Sequence, residues 1–269
     1  MKFSVLMSVY DKENPEYLRQ SIDSIYSQTL LPDEVILIED GPLTTELNNT
    51  ISTLNAQHNS LKVIALNEKQ GLGGALNRGI QECKNEIIAR MDTDDVCKPN
   101  RFERQITFME EHPDIDICSS WVDEFNDDIQ NVISQRKLPE THQEIFEYGK
   151  RKCPVNHPAT VYKKSKVMAA GGYGQFPEDY LLWVKMLMNG CKFYNIQESL
   201  VWYRFSSDVI DRRGGWTYAI HEISDQFRFY KLGYTNLLHL ITNICIRTTV
   251  RLIPSSLRSL IYQHAIRRW

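Results

Sequence analysis

Asp92, Asp94 and Asp95 place three carboxylates within four residues, directly after the apolar run Glu86–Met91. Such a group repels itself unless a cation lies among its members. A hard divalent ion with oxygen ligands would neutralise it, and Mg²⁺ or Mn²⁺ would keep positions open for a diphosphate. Alternate residues of an extended segment point the same way, so Asp92 and Asp94 can address one ligand together. A solvated turn whose aspartate caps the next helix accounts equally well for the segment read alone.

Glu39-Asp40-Gly41-Pro42 ends another apolar run. A carboxylate there can accept hydrogen bonds from a base or a sugar, and the four residues also suit a plain turn. Glu178-Asp179 follows Pro177 and opens a helical pattern carrying Leu182, Trp183, Met186 and Leu187. The helix dipole favours acids in a first turn, and it keeps Asp179 ionised and able to take a proton from a hydroxyl. Gly71-Leu72-Gly73-Gly74 lacks the third glycine of a dinucleotide loop, because Leu76 stands there, and no G-K-[ST] occurs. These glycines instead suit close approach of a helix to a sheet or ligand. Asn156-His157-Pro158 is a polar turn, and a lone histidine there reads more readily as a surface residue than as a catalyst. No Ser-His-Asp or Cys-His constellation is legible from spacing.

The elements that must position these residues alternate in type. Phe3–Tyr10, Glu34–Glu39, Leu61–Leu66 and Glu86–Met91 have the β-rich apolar character of strands. Between them, Asn14-Pro15 supplies a cap and a first-turn proline for a helix through Leu18, Ile22, Ile25 and Tyr26. Leu47, Ile51 and Leu54 mark a second helix and Leu72–Cys83 a third. This alternation predicts βαβ units and a parallel sheet covered on both faces. Ligands of such sheets bind outside the carboxyl ends of the strands. Tyr10, Glu39-Asp40 and Asp92–Asp95 should therefore meet in one crevice. Beyond residue 100 the alternation weakens, leaving a helix around Phe102–Met109, a strand at Ile115–Val122 and a helix at Tyr180–Met188.

The 269 residues are 42% hydrophobic and 24% charged, with a formal net charge of -3. That suits one large α/β domain, alone or with an appendage, and excludes disordered and fibrous classes. Near-neutral charge argues against a dedicated nucleic-acid binder. Six scattered cysteines without a C-x-x-C pair suggest reduced thiols in a reducing compartment. The N-terminal apolar run is too short for a signal peptide, so a cytoplasmic location is expected. Seven basic and no acidic residues follow Asp225, which leaves residues 226–269 at +7 and the body at -10. The longest uncharged stretch there, Leu232–Ile246, is shorter than the roughly 18–20 residues of a spanning helix. Its composition fits a basic amphipathic helix on an anionic membrane surface, or else a helical subdomain packed on the body.

Six segments in order carry a family resemblance: Met7–Tyr10 (MSVY), Glu39–Pro42 (EDGP), Gly71–Ile80 (GLGGALNRGI), Ala89–Asp95 (ARMDTDD), Asn156–Lys164 (NHPATVYKK) and Glu178–Trp183 (EDYLLW). Together they resemble an inverting family 2 glycosyltransferase of GT-A fold over about residues 3–205. Along its length the chain is similar to bacterial enzymes that build exopolysaccharide, capsule and O-antigen repeat units, including the amylovoran type.

The resemblance implies a Rossmann-like, mostly parallel central sheet with flanking helices. It implies a GT-A domain at 1–225, with a nucleotide-binding half at 1–100 and an acceptor-binding half at 101–225. Residues 226–269 would be a helical tail attaching peripherally to the cytoplasmic face of the inner membrane. By the same resemblance Ser8, Val9, Tyr10 and Glu39 (or Asp40) hold the uridine of a UDP-sugar. Asp92 contacts the ribose side, and Asp94 binds the Mn²⁺ or Mg²⁺ that bridges the diphosphate. Asp179 is the catalytic base. His157, Glu178 and Trp183 lie near the donor or acceptor sugar, and Arg78 and Arg90 are diphosphate or structural partners. The acceptor would be a sugar on undecaprenyl diphosphate, and the donated hexose galactose or glucose.

The family's D-D-G-S is here E-D-G-P, which leaves the base contact between Glu39 and Asp40. The Q-x-x-R-W of processive synthases is absent: Gln263…Arg267-Arg268-Trp269 has other spacing. One sugar per acceptor is therefore expected. A nucleotidyltransferase would carry a glycine- and lysine-bearing loop near its first strand, where MSVYDKENPE stands. A nucleotide-sugar sensor or scaffold would bind without transferring.

Overall fold

The computed structural model describes residues 1–174, 178–205 and 214–254. Pro177 and the end of the basic tail, with Arg258, Arg267 and Arg268, lie outside the described residues.

Strands β1 (Phe3–Val9), β2 (Glu34–Glu39), β3 (Leu61–Ala65) and β4 (Ile87–Arg90) alternate with helices α1 (Pro15–Tyr26), α2 (Thr45–Gln57) and α3 (Gly71–Glu82). β1 pairs in parallel with β2 and β4, and β2 with β3. The start of α1 is written in the sequence, since the Asn14 side chain accepts from the Glu16 amide at 2.8 Å and Pro15 needs no partner. β1 is buried on both faces. Val5, Met7 and Val9 join a core with Leu18, Ile22, Leu47 and Phe102, while Leu6 points to Ile36, Ile38, Ala75 and Trp183. That two-sided burial explains why the strand reads as a continuous apolar run.

After β4 come β5 (Val96–Cys97), α4 (Arg101–Glu111), β6 (Ile117–Phe125), β7 (Val132–Arg136) and α5 (His142–Tyr148). A 3-10 turn (His157–Ala159), β8 (Val161–Lys163), α6 (Lys164–Ala169), α7 (Glu178–Met188) and β9 (Phe193–Arg204) follow. The sheet order is β3-β2-β1-β4-β8-β6-β9-β5, with β7 on the other edge of β6. The parallel pattern of the first four strands gives way here to a mixed one. β8 runs antiparallel to β4 and β6, and β5 antiparallel to β9, while β6 and β9 are parallel. The sheet thus remains one α/β layer system, with its second half built by long non-local pairings.

Two further helices, α8 (Trp216–Lys231) and α9 (Leu237–Leu252), form a hairpin. The division drawn at residue 225 falls inside α8. Phe229 packs against the Tyr180 ring of α7 at 4.7 Å between centroids. Glu222, buried in the hairpin, pairs with both Arg247 and Arg251. Opposite these contacts Leu237, Leu238, Ile241 and Ile246 stand in solvent, Leu238 and Ile246 at 70% and 64% exposure. Among the described residues no helix is long and apolar enough to cross a membrane.

Candidate active site

Three segments meet at the carboxyl ends of the strands, as the alternation predicts. Val9 and Glu39 are register partners, and the Asp40 amide donates to the Val9 carbonyl at 2.8 Å. The Met91 amide donates to the Leu6 carbonyl at 3.1 Å, which leads Asp92–Asp95 out beside the end of β1. There Thr93 donates to Glu13 at 2.7 Å, and Ser21 donates to the Asp92 carbonyl at 2.9 Å.

Ligand oxygens of Asp92, Asp94 and Asp95 lie within 4.8 Å of one another. Burial, then the charges of Asp92 and Glu13, push the Asp94 carboxyl up to about 7. Asp95 is raised more strongly, by burial and by Asp94, and its Oδ2 is buried without a hydrogen-bond partner. Two guanidinium groups oppose this negative field. Arg90, only 1% exposed, pairs with Asp92 and is held protonated by that charge against the effect of burial. Arg204 ends β9 with its backbone amide on Asp95 Oδ1 at 2.8 Å and its Nε on the Asp94 carbonyl at 2.9 Å. Burial and mutual repulsion hold Asp94 and Asp95 toward the protonated form, and a divalent cation bound among them would favour the ionised form. The donor set is all oxygen and partly orphaned. It fits a hard ion such as Mn²⁺ or Mg²⁺.

Glu39 and Asp40 separate in role. Asp40 is buried and accepts from the Gln70 amide at 2.7 Å, bracing the turn against the 68–70 loop. Gly41 sits there at φ +85°, where a Cβ would lie 2.9 Å from the Lys69 amide nitrogen. Glu39 is half-buried, and burial raises its carboxyl. Tyr10 lies under the Lys69 ammonium, whose other partner is Asp11.

The far wall of the crevice is the start of α7. Gly73 of α3 lets it come close, since a Cβ on Gly73 would fall 2.1 Å from the Gly174 carbonyl oxygen and 3.3 Å from Glu178 Cβ. Burial, then the Asp179 charge, push the Glu178 carboxyl up to about 7. Asp179 Oδ1 accepts from the Tyr180 amide at 2.8 Å, and Oδ2 lies 3.5 Å from the Cys153 thiol. His157 Nε2 contacts the Tyr173 hydroxyl at 3.1 Å, and burial together with Arg90 pushes this histidine well below its usual value. It is a neutral, walled residue and not the surface histidine that its turn suggests.

One expected sugar contact lies elsewhere. Trp183 is fully buried, with its ring 5.8 Å from His157 and 6.1 Å from Tyr173 between centroids. The structure puts it behind the site as packing, because its position in α7 turns it into the core. Arg78 pairs with Glu82, which also takes Lys62 of the edge strand β3. Arg78 also lines a cavity with Glu68 and Gln70, beside the Asp40 turn. Arg90 belongs to the site as the buried partner of Asp92. Glu13, Arg204 and Cys153 are site residues that spacing did not reveal.

The site is thus an acidic cluster after β4, at the carboxyl ends of a mixed α/β sheet, facing an acidic helix start. Residues 4–167 match the family model described as Glycosyl transferase family 2, and the chain belongs to that family. It is a transferase. It is 44% identical, over 100% of this chain and 98% of the relative, to UDP-Gal:alpha-D-GlcNAc-diphosphoundecaprenol beta-1,3-galactosyltransferase of Escherichia coli. It is 36% identical to the amylovoran biosynthesis glycosyltransferase AmsE of Erwinia amylovora, over 97% and 98% of the two chains. The fold resembles that of the mannosyltransferase PcManGT from Pyrobaculum calidifontis in complex with GDP-Man and Mn²⁺. That likeness has a TM-score of 0.64 at 13% identity and covers 98% of this chain and 79% of that one.

Proposed function

We propose that the protein is an inverting, non-processive hexosyltransferase that moves one galactose from UDP-galactose to a lipid-diphosphate-linked sugar in bacterial surface polysaccharide assembly. The observation that carries this reading is the opposition of Asp92–Asp95 and Glu178-Asp179 across one crevice, close enough for Asp92 to raise the Glu178 carboxyl. Galactose is preferred to glucose because the Escherichia coli relative is a UDP-Gal enzyme. The amylovoran relative supports polysaccharide assembly as the setting.

Ser8, Val9 and Tyr10 with Glu39 hold the uridine, since Asp40 is engaged by the Gln70 amide. Asp92 takes the ribose side. Asp94, with Asp92 beside it, would hold Mn²⁺ or Mg²⁺, which when bound stabilises the negative charge that develops on the departing diphosphate. Asp179 removes the proton of the acceptor hydroxyl as that oxygen attacks the anomeric carbon. Attack from the face opposite the diphosphate inverts configuration in one step. Help of this kind is typically worth about 10²–10⁴-fold. Glu178, whose carboxyl is pushed up to about 7, keeps a proton it can donate to a sugar hydroxyl near neutrality. His157 stays neutral beside the sugar site.

The exposed apolar residues of α9 and the basic tail dock the enzyme peripherally on the cytoplasmic face of the inner membrane. Cutting the chain at Asp225 would remove Phe229 from the core as well as the tail, so Leu238→Glu with Ile246→Glu is the cleaner test. That variant should leave anionic vesicles that wild type binds, and unchanged vesicle binding would remove this surface from the account.

Thermal shift with UDP, UDP-Gal, UDP-Glc, GDP and NAD, each with and without Mn²⁺, tests the donor reading. A ligand at 100 times its dissociation constant adds about 2.7 kcal/mol of stability. Uridine compounds should stabilise only with metal, and Asp94→Ala should abolish that response. A folded protein indifferent to every uridine compound would sink the reading; binding without any transfer would favour a nucleotide-sugar sensor.

A further inference from the structure

The loop between α5 and the 3-10 turn carries three consecutive cations, Lys150, Arg151 and Lys152, and then Cys153, whose thiol touches Asp179. α9 clasps this loop. Asn243 donates to the Lys150 carbonyl at 2.8 Å, and Arg247 Nη2 donates to the Arg151 carbonyl at 2.6 Å. The Arg247 guanidinium also lies 5.5 Å over the ring of Tyr180, the residue after Asp179. Positive charge is therefore gathered one residue, about 3.8 Å of chain, from the side chain that contacts the proposed base.

Among the described residues, the acids near this charge are shared or already paired. Glu222 is one carboxylate shared by Arg247 and Arg251. Asp225 is matched by Arg228, and Lys150 by Glu147. Among the described residues neither Arg151 nor Lys152 has an ion-pair partner. Lys152 is half-buried, and burial and the neighbouring Arg247 push its ammonium below the usual value. The desolvated Lys152 ammonium, set beside Arg247, would be relieved by an anion. The outward apolar residues of α9, Ile246 among them, begin next to Arg247 in the same helix.

We propose that Arg151, Lys152 and Arg247 form the seat of the acceptor's diphosphate, with its lipid chain leaving along the exposed apolar side of α9. This rests on the reading of Asp179 as the base and of the acceptor as a lipid-diphosphate sugar. An anion seated here stands a short reach from Asp179, as a sugar hydroxyl bonded through the ring to a diphosphate requires. The seat recognises the acceptor through its diphosphate, which stays bonded to the sugar throughout the transfer, and it is separate from the carboxylate cluster that serves the donor.

The test is binding to the full-length protein, with farnesyl diphosphate and farnesol as probes in the same detergent. Wild type should bind the diphosphate at least about tenfold more tightly than the alcohol, the effect of one well-placed charge contact. Arg151→Gln with Lys152→Gln should erase that preference while farnesol affinity stays, and Arg151→Gln with Lys152→Arg should keep part of it. Vesicles of phosphatidylglycerol form the third arm. Equal binding of the two farnesyl probes by wild type would overturn the proposal. So would an equal loss of diphosphate and vesicle binding in the double variant, which would make the loop a general contact for anionic membranes. Retained UDP binding with Mn²⁺ reports that the variant is folded. If wild type takes farnesyl diphosphate through these residues yet ignores UDP, the donor reading fails and the anion seat stands.

Discussion

Arg204 is the residue on which the geometry of the acidic cluster most depends. Its side chain donates to the Asp94 carbonyl at 2.9 Å, to the Asn126 carbonyl at 3.0 Å and to Gln20 Oε1 at 2.5 Å. The guanidinium lies between the rings of Tyr17 and Phe125, at 3.7 and 4.5 Å from their centroids. Arg204→Met keeps the apolar filling and the backbone bond to Asp95, but removes three donors and the charge. Each hydrogen bond to a charged group is worth about 1.5–3 kcal/mol, and removing one partner of a buried charge set costs about 3–5 kcal/mol. A loss of about 4 kcal/mol is therefore expected, against a total stability on the order of 5–15 kcal/mol. Urea unfolding in EDTA at neutral pH reads it as a lower midpoint. Arg204→Lys should recover part of the loss through its charge alone. A loss below about 1 kcal/mol for the Met variant would refute the claim that Arg204 holds the loop.

Two further outcomes follow from packing and burial. A Cβ at Gly79 would lie 2.3 Å from Leu6 Cδ1 and 3.0 Å from Ile38 Cγ1. Gly79→Ala should therefore cost about 1–3 kcal/mol in a thermal melt, and a neutral result would show that α3 has room to move off the sheet. Burial pushes the Asp225 carboxyl up from 3.8 to about 6, and its Oδ2 has no hydrogen-bond partner. The folded chain thus holds this proton more tightly than the unfolded one. Its contribution is full below the unfolded value and is lost as pH rises through about 6. Asp225→Asn should remove that slope, worth up to about 3 kcal/mol. Parallel stability curves for wild type and variant between about pH 4 and 6 would contradict it.

The first half of the fold was legible because β1, β2 and β4 are buried on both faces and α1 begins at a recognisable cap. β1 to β4 and α1 to α3 lie where the alternation put them. The second half was not. β9 breaks its apolar pattern at Gln197-Glu198, and its pairing with β6 shifts register at Ser120–Val122, so no period of two runs through it. α5 carried a readable signal, the capping box of Thr141 and Glu144, but its seven residues give too little helical periodicity to stand out. In the site, the runs of acids announced themselves by composition. Arg204 did not, because it reaches Asp94 across 110 positions and only β5–β9 pairing brings them together. Cys153 reads as one more scattered thiol until α7 brings Asp179 to it. Trp183 shows the opposite error. Its motif position suggested a sugar contact, while its face of α7 looks inward.

Turnover of Asp179→Asn is the most direct test of the proposed chemistry. Release of UDP from UDP-galactose with a GlcNAc-diphosphate-lipid acceptor and Mn²⁺ would be compared with wild type, and UDP affinity measured on the same preparation. The account predicts a fall of about 10²–10⁴-fold in turnover, with UDP affinity within about twofold of wild type. Turnover close to wild type would remove Asp179 as the base, and with it the crevice as the place where acceptor and donor meet.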